Sequence, residues 1–368
     1  MPSDRPGTAA FDDAPLTLSG DYYGDLVAGR SRGLWPGLLR GGLRAASLPY
    51  GLASRLRNRF YDWGWKPSRR APVPVVSIGN MTLGGTGKTP CVEYVARFYR
   101  EHGRRVAILS RGYGSSHGRN DEALVLEENL PDVPHLQGPD RASLAAVAVA
   151  ELDSEVLVLD DGFQHRRLAR DLDVVLVDAT QPWGYGYLFP RGLLREGRGG
   201  LRRAGVVVLT RCDQVGRDGR GRLREAIARL APAVPVAEAT HRPLGLVNGD
   251  RHTRPLQHLA DRPVAAFCGI GNPDAFRRTL ADHGVRLAAF RSFSDHHVYT
   301  RTDVEDLHTW TRRHDPACVA VTTQKDLVKL RLSRLGGTEL WALRIGLHFE
   351  VGQEALHRRL LEVTRTAG

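Results

Sequence analysis

The sequence predicts an α/β protein: a mostly parallel sheet flanked by helices, joined to a second, smaller α/β lobe and preceded by a basic amphipathic helical segment. Three observations carry this. Short, nearly continuous apolar runs recur along residues 71–245, as strands covered on both faces must. The first of them leads through a glycine-rich loop, Thr82-Leu83-Gly84-Gly85-Thr86-Gly87-Lys88-Thr89, into a helical pattern. A later run, Val156-Leu-Val-Leu-Asp160-Asp161, ends in two carboxylates. A loop of this kind followed by such a strand is the nucleotide-binding pair of P-loop NTPase-type folds.

With 368 residues the chain is long enough for two domains and an ample core, and its 42% hydrophobic and 25% charged content is ordinary for a globular protein. No run of about 18 apolar residues could span a bilayer, and the first residues lack the basic and apolar regions of a secretion signal. The four cysteines (Cys91, Cys212, Cys268, Cys318) are far apart, which suits a reducing compartment and no zinc or disulfide framework. A net charge of +11 suits phosphorylated substrates, anionic lipid or nucleic acid. Only four of the 52 basic residues are lysine (Lys66, Lys88, Lys325, Lys329), so lysine stands where a compact point charge matters.

Residues 1–30 show no period and are expected as a loosely ordered extension. Residues 31–70 carry nine Lys/Arg against one acid, Asp62, interleaved with Leu, Trp, Tyr and Phe. This is one or two amphipathic helices broken near Pro49, suited to an anionic membrane surface or to packing as an arm on their own domain. A domain over 71–240 follows, with strands at Val73–Ile78, Val106–Ser110, Val156–Asp160, Asp173–Asp178, Val206–Thr210 and Val234–Ala237, and a helix at Arg141–Leu152. His241–His258 reads as a linker. The second domain, 245–368, repeats the alternation: strands at Val264–Cys268, Val285–Phe290, Val319–Thr322 and Leu340–Leu347, with helices near Asp274–His283, Asp303–Arg313 and the end of the chain.

The chemistry follows from the loop. Gly84, Gly85 and Gly87 let backbone N–H groups turn in on a polyphosphate, and the next helix presents its N-terminus to the same anion. Lys88 reaches the β/γ-phosphates and the Thr89 hydroxyl can ligate Mg²⁺. Thr82 stands where the usual pattern has glycine. Asp160 is the metal-side carboxylate, with Asp161 beside it. Gln164 and His165 follow, placed to position an acceptor. Ser110-Arg111-Gly112-Tyr113-Gly114 lies at another strand end, and Asp121, in Asn120-Asp121-Glu122, is a candidate proton acceptor. Arg191 and Arg195 suit phosphate oxygens. Ser294-Asp295-His296-His297 is a metal or acid–base candidate. Thr210-Arg211-Cys212-Asp213 faintly echoes the base-reading element of GTPases, so a nucleotide-driven switch of the metallochaperone type is the rival reading.

Taken together, these segments resemble the tetraacyldisaccharide 4'-kinase (lipid A 4'-kinase) family. The resemblance rests on Ser77-Ile-Gly-Asn through Lys88-Thr-Pro, Leu109-Ser-Arg-Gly-Tyr-Gly, Asp160-Asp-Gly-Phe-Gln-His-Arg, Gly269-Ile-Gly-Asn-Pro, Phe293-Ser-Asp-His-His-Val-Tyr and Thr322-Thr-Gln-Lys-Asp-Leu-Val-Lys329. It implies transfer of the ATP γ-phosphate to the 4'-hydroxyl of a tetraacyldisaccharide 1-phosphate, giving lipid IVA. It further implies Lys88 and Thr89 on Mg-ATP, Asp160 and Asp161 at the metal, and an Asp121–His296 pair activating the hydroxyl as the two lobes close. The expected setting is the cytoplasmic face of the bacterial inner membrane, with residues 31–70 against the anionic surface, a lipid A precursor as substrate, no nucleic acid and no obligate protein partner. The chain departs from the family pattern at Asn120, Tyr185, Gly197 and Gln324.

Overall fold

The computed structural model describes residues 20–112, 121–314 and 317–365; Tyr113, Gly114, Asn120 and most of the N-terminal extension lie outside the described residues. The expected loose extension differs at its end: residues 20–28 form a helix, α1 (Gly20–Ala28), because Leu26 and Val27 find a core to bury in. α2 (Leu34–Asp62) is one helix, not two, and runs straight through Pro49. Proline inside a helix costs about 3 kcal/mol, and tertiary contacts on both sides of it offset that. Ser47 Oγ donates to Leu188 O at 3.0 Å, Tyr50 Oη to Arg195 O at 2.8 Å, and Asn58 Nδ2 to Glu196 at 2.9 Å.

The first half then builds β1 (Val75–Asn80), α3 (Lys88–Glu101), β2 (Val106–Ser110), α4 (Asp121–Asn129), β3 (His135–Gln137), α5 (Arg141–Ala150), β4 (Val156–Asp160), β5 (Leu172–Asp178), β6 (Val206–Thr210) and α6 (Arg217–Leu230). Next come β7 (Val236–Val247), β8 (Thr253–Arg254), β9 (Val264–Cys268), α7 (Pro273–Asp282), β10 (Leu287–Ser292) and α8 (Arg301–His314). β11 (Val319–Thr323), α9 (Gln324–Leu330), β12 (Arg334–Leu335), β13 (Thr338–Val351) and α10 (Gln353–Arg365) complete the chain.

One sheet runs through the molecule in the order β10-β9-β11-β13-β7-β6-β5-β1-β4-β2-β3. Every neighbouring pair along this path is parallel except β13 with β7. The expected linker at His241–His258 is therefore corrected. Its first half is β7, parallel to β6 at Val236–Glu238 and antiparallel to β13 from Glu238 to Val247. The boundary at 240–245 is crossed again by α10, which packs Leu356, Leu360 and Val363 into the core of the phosphate-loop half beside Phe98 and Tyr99. Tyr99 Oη also donates to Leu360 O at 2.8 Å.

The central strands of the first half are buried on both faces; β1, β2, β5 and β6 are buried throughout, while the edge strand β3 is half-buried. Their C-terminal ends therefore gather the loops at one edge, where open α/β sheets place ligands.

Candidate active site

The loop between β1 and α3 is built for an anion. Gly84 and Gly87 have φ of +101° and +88°, values that favour glycine. Gly87 also has no room for a side chain, since an added Cβ would stand 2.4 Å from His241 Nε2. Thr82 is tolerated in place of glycine because the loop is still extended there: Thr82 bridges to Leu194, and Leu83 N–H donates to Leu193 O at 2.7 Å. The loop is braced from beneath. Asn80 Nδ2 donates to Thr86 Oγ1 at 3.0 Å, Thr210 Oγ1 to Thr86 O at 2.9 Å, and Arg211 Nη2 to Gly85 O at 2.8 Å. Arg211 is also ion-paired with Asp178. The basic residue of the Thr210-Arg-Cys-Asp echo is thus spent on the phosphate loop, which removes the support for a base-reading GTPase element.

Asp160 ends β4 directly beside β1, in register with Ile78. Its Oδ1 is buried and has no hydrogen-bond partner. Burial, and secondarily the nearby Glu122, push its carboxyl up to about 7. An orphaned carboxylate oxygen between the phosphate loop and the strand end is a fit for a divalent cation, with the Thr89 hydroxyl as the second donor. Asp161 has a different partner set. Burial acts to raise its carboxyl, but Lys88 at 3.6 Å and Arg195 at 2.8 Å hold it below the ordinary range.

The cavity beside the loop, about 310 Å³, spans both halves of the sheet. Lys88, Glu122, Arg211 and His241 line it from one side, and Asn272, Phe276 and Lys325 from the other. Beside Glu122 of this cavity the two halves touch: His296 Nδ1 lies 2.9 Å from Asp121 Oδ2. Asp121 is buried at the start of α4, while the His296 side chain is 61% exposed and free to meet a second molecule. The His296 backbone has φ +56°, a strained value for a non-glycine residue of the kind found at functional sites. Next to it, Lys325 Nζ bonds Glu122 at 2.6 Å; despite burial, that contact keeps the Glu122 carboxyl below its ordinary range.

A larger cavity of about 770 Å³ opens on the other side of Asp161. Half of the residues in its wall are cationic: Arg57, Lys66 and Arg69 from α2 and the chain after it, with Arg111, Arg141, Arg166, Arg167 and Arg195. Gln164 and His165 line it as well, and the carboxylates of Asp140 and Asp161 stand among the cations. The electrostatic signature is plain. Burial, then the neighbouring Arg111, push the Arg141 guanidinium down, and burial with Arg141 pushes His165 down to about 4. A neutral His165 can accept from Arg141 Nη1, 3.3 Å from its Nδ1. Of the five residues expected at the substrate, Arg111, Gln164, His165 and Arg195 meet here, and Arg191 does not. Arg191 stacks 4.4 Å from the Tyr187 ring and donates to Val27 O at 3.0 Å, holding α1. Glu196, which sequence reasoning did not select, is fully buried and ties Gln164 at 3.0 Å to Asn58 of α2 and to Arg203.

A glycine-rich phosphate loop, with a buried carboxylate oxygen lacking a hydrogen-bond partner at the end of the neighbouring strand, gives the molecule the parts of a P-loop nucleotide-binding protein. The family model described as tetraacyldisaccharide-1-P 4'-kinase matches residues 39–365, and the chain belongs to that family. A tetraacyldisaccharide 4'-kinase of Anaeromyxobacter sp. (strain Fw109-5) is 42% identical over 323 residues, covering 83% of this chain and 86% of that one. The protein of the same name from Desulfatibacillum aliphaticivorans is 38% identical over 345 residues, covering 86% and 91%. Among solved structures, LpxK from Aquifex aeolicus in complex with ATP superposes with a TM-score of 0.71 at 30% identity, covering 89% of this chain and 99% of that one.

Proposed function

We propose that the chain transfers the γ-phosphate of ATP to the 4'-hydroxyl of a tetraacyldisaccharide 1-phosphate, with the residues assigned as follows. The loop from Thr82 to Thr89 wraps the phosphates, and Lys88 neutralises the β/γ oxygens. Thr89 and Asp160 would hold Mg²⁺, which when bound would offset phosphate charge. Asp121 receives the Nδ1–H of His296, leaving Nε2 to take the proton of the 4'-hydroxyl as the new P–O bond forms and the β,γ-bridging P–O bond breaks. Asp161 and Arg195 bridge the phosphate loop and the basic cavity.

That cavity, lined by Arg111, Gln164, His165 and Arg195, takes the phosphorylated sugar, because its mutually repelling cations gain from any bound anion. No helix among the described residues is long and apolar enough to cross a membrane. Instead α2 exposes Leu34, Trp35, Leu38, Leu48 and Leu52, followed by the exposed Trp63 and Trp65, and its basic residues flank them. This is the makeup of a helix that lies in an anionic interface, here the cytoplasmic face of the inner membrane. The lipid's acyl chains would stay there while its sugar enters the cavity at the end of α2. No protein partner is required by this arrangement.

The observation that carries the reading is the Asp121–His296 contact at 2.9 Å, formed across the two halves beside the phosphate loop. The test is transfer of label from γ-labelled ATP to the tetraacyldisaccharide 1-phosphate in detergent. Wild type should label the lipid, and Asp121→Ala and His296→Ala should each lose about 100-fold or more, as for a general base. ATP binding without labelled lipid would reject the assignment.

A further inference from the structure

Three of the four lysines in this arginine-rich chain converge on one place. Lys88 serves the phosphate loop and Lys325 pairs with Glu122. Lys329 lines neither cavity, yet it stands directly behind the Asp121–His296 pair. Its Nζ is 3.1 Å from Asp326 Oδ1 and 3.9 Å from Asp121 Oδ2, and the Tyr299 ring lies 5.6 Å away. Asp326 is itself immobilised: it has no exposed surface, its Oδ2 accepts the Gly269 N–H at 3.0 Å, and Thr323 Oγ1 bonds it at 2.7 Å.

A chain of fixed charges therefore runs from Asp326 through Lys329 and Asp121 to His296. We propose that Lys329, anchored by Asp326, is a positioning residue for the phosphoryl-transfer reaction: it holds the Asp121 carboxylate with Oδ2 turned to His296. The inference rests on the reading of Asp121–His296 as the hydroxyl-activating pair. Its physical basis is that Asp121 is buried in acidic company, with Glu122 adjacent and Asp295 next to His296, while His296 is mostly solvent-exposed and a weak anchor. The interior side of the carboxylate needs a cation, and Lys329 is the one within 4 Å among the described residues. At 3.9 Å the contact is a charge contact and not a hydrogen bond, a task for a compact ammonium more than for a guanidinium fork.

The test is steady-state kinetics with ATP and the tetraacyldisaccharide 1-phosphate on K329M, D121N and the double variant D121N/K329M. K329M should lower kcat at least 10-fold with KM for ATP unchanged within twofold. In the D121N background K329M should cost nothing further, since the residue it positions is gone. K329M leaves Asp326 as a lone buried charge, so D326N/K329M, which removes both charges, is measured beside it and should be folded and equally slow. A K329M or folded D326N/K329M kcat within twofold of wild type would overturn the proposal. So would an equal loss from K329M in wild-type and D121N backgrounds. Full activity in D121N is a distinct result: it would remove the Asp121–His296 reading and this inference with it.

Discussion

Asp160 carries, at the scale of one residue, a stability cost at the position proposed for the metal. Its buried Oδ1 has no partner, and its carboxyl is pushed up to about 7, against about 3.9 in an unfolded chain. Between those two values the folded state binds the proton and the unfolded state does not. Ligand-free stability therefore falls as pH rises through that window, and the cost is fully present above pH 7. Asp160→Asn removes the charge, so the variant should be more stable than wild type at pH 8, by up to about 4 kcal/mol, with the gap narrowing at pH 5. Denaturation of both proteins at the two pH values measures this, and an asparagine variant no more stable at pH 8 would contradict it. The same variant should lose phosphoryl transfer, as should Lys88→Ala, by about 10²-fold or more, the usual effect of removing a charge-stabilising group. Lys88→Ala should fold normally, because Lys88 is partly exposed and its ion-pair partner Asp161 keeps Arg195. Full activity in a folded Lys88→Ala protein would refute its role.

At the scale of elements, what could be read from the sequence depended on whether local signals and tertiary context agreed. β2, β4, β6 and β9 were legible to the residue because apolar runs bounded by polar or glycine residues leave little choice. α4 and α9 were not anticipated. Each is short, and what fixes them is mainly their contact with one another through Asn129–Gln324 and Glu122–Lys325. The Thr323-x-x-Asp326 cap, with Thr323 Oγ1 3.3 Å from Asp326 N, was a signal that could have located α9. α6 was hidden by its arginines and glycines; only Leu223 and Ile227 are buried. In α2 the local signal of Pro49 lost to the hydrogen bonds that staple the helix to residues 188–196. Its outward face is the part that the proposed function assigns to the membrane surface. Leu48→Glu with Leu52→Glu, at positions 72% and 59% exposed, should weaken binding to anionic vesicles at least 10-fold, since each removes apolar area from the interface and adds repulsion. Thermal stability should be unchanged because neither side chain touches the core. Sedimentation with vesicles reads the first effect and a melting curve the second; undiminished vesicle binding would reassign the exposed face.

At the scale of the molecule, the sequence suggested two domains in succession, and the structure is instead one sheet whose halves are sewn together. The long antiparallel pairing of β7 with β13 is the seam, and α10 crosses back over it to close the core under the phosphate-loop helix. Neither feature is visible locally, because β13 and α10 read as an ordinary strand and helix, and only their partners, far away in the chain, reveal the architecture. The site depends on this stitching: Asp121 comes from the first half, His296 from the second, and their 2.9 Å contact requires the halves to hold a fixed relation. Leu360 tests the point, lying fully buried in the core shared by α10 and α3. Leu360→Ala should cost about 2–4 kcal/mol, the usual cost of such a cavity. It should do so in a single cooperative transition, monitored both by tryptophan fluorescence and by loss of ATP binding. Two transitions, with ATP binding surviving the first, would mean that the phosphate-loop half stands without α10 and that the seam does not bind the halves into one unit.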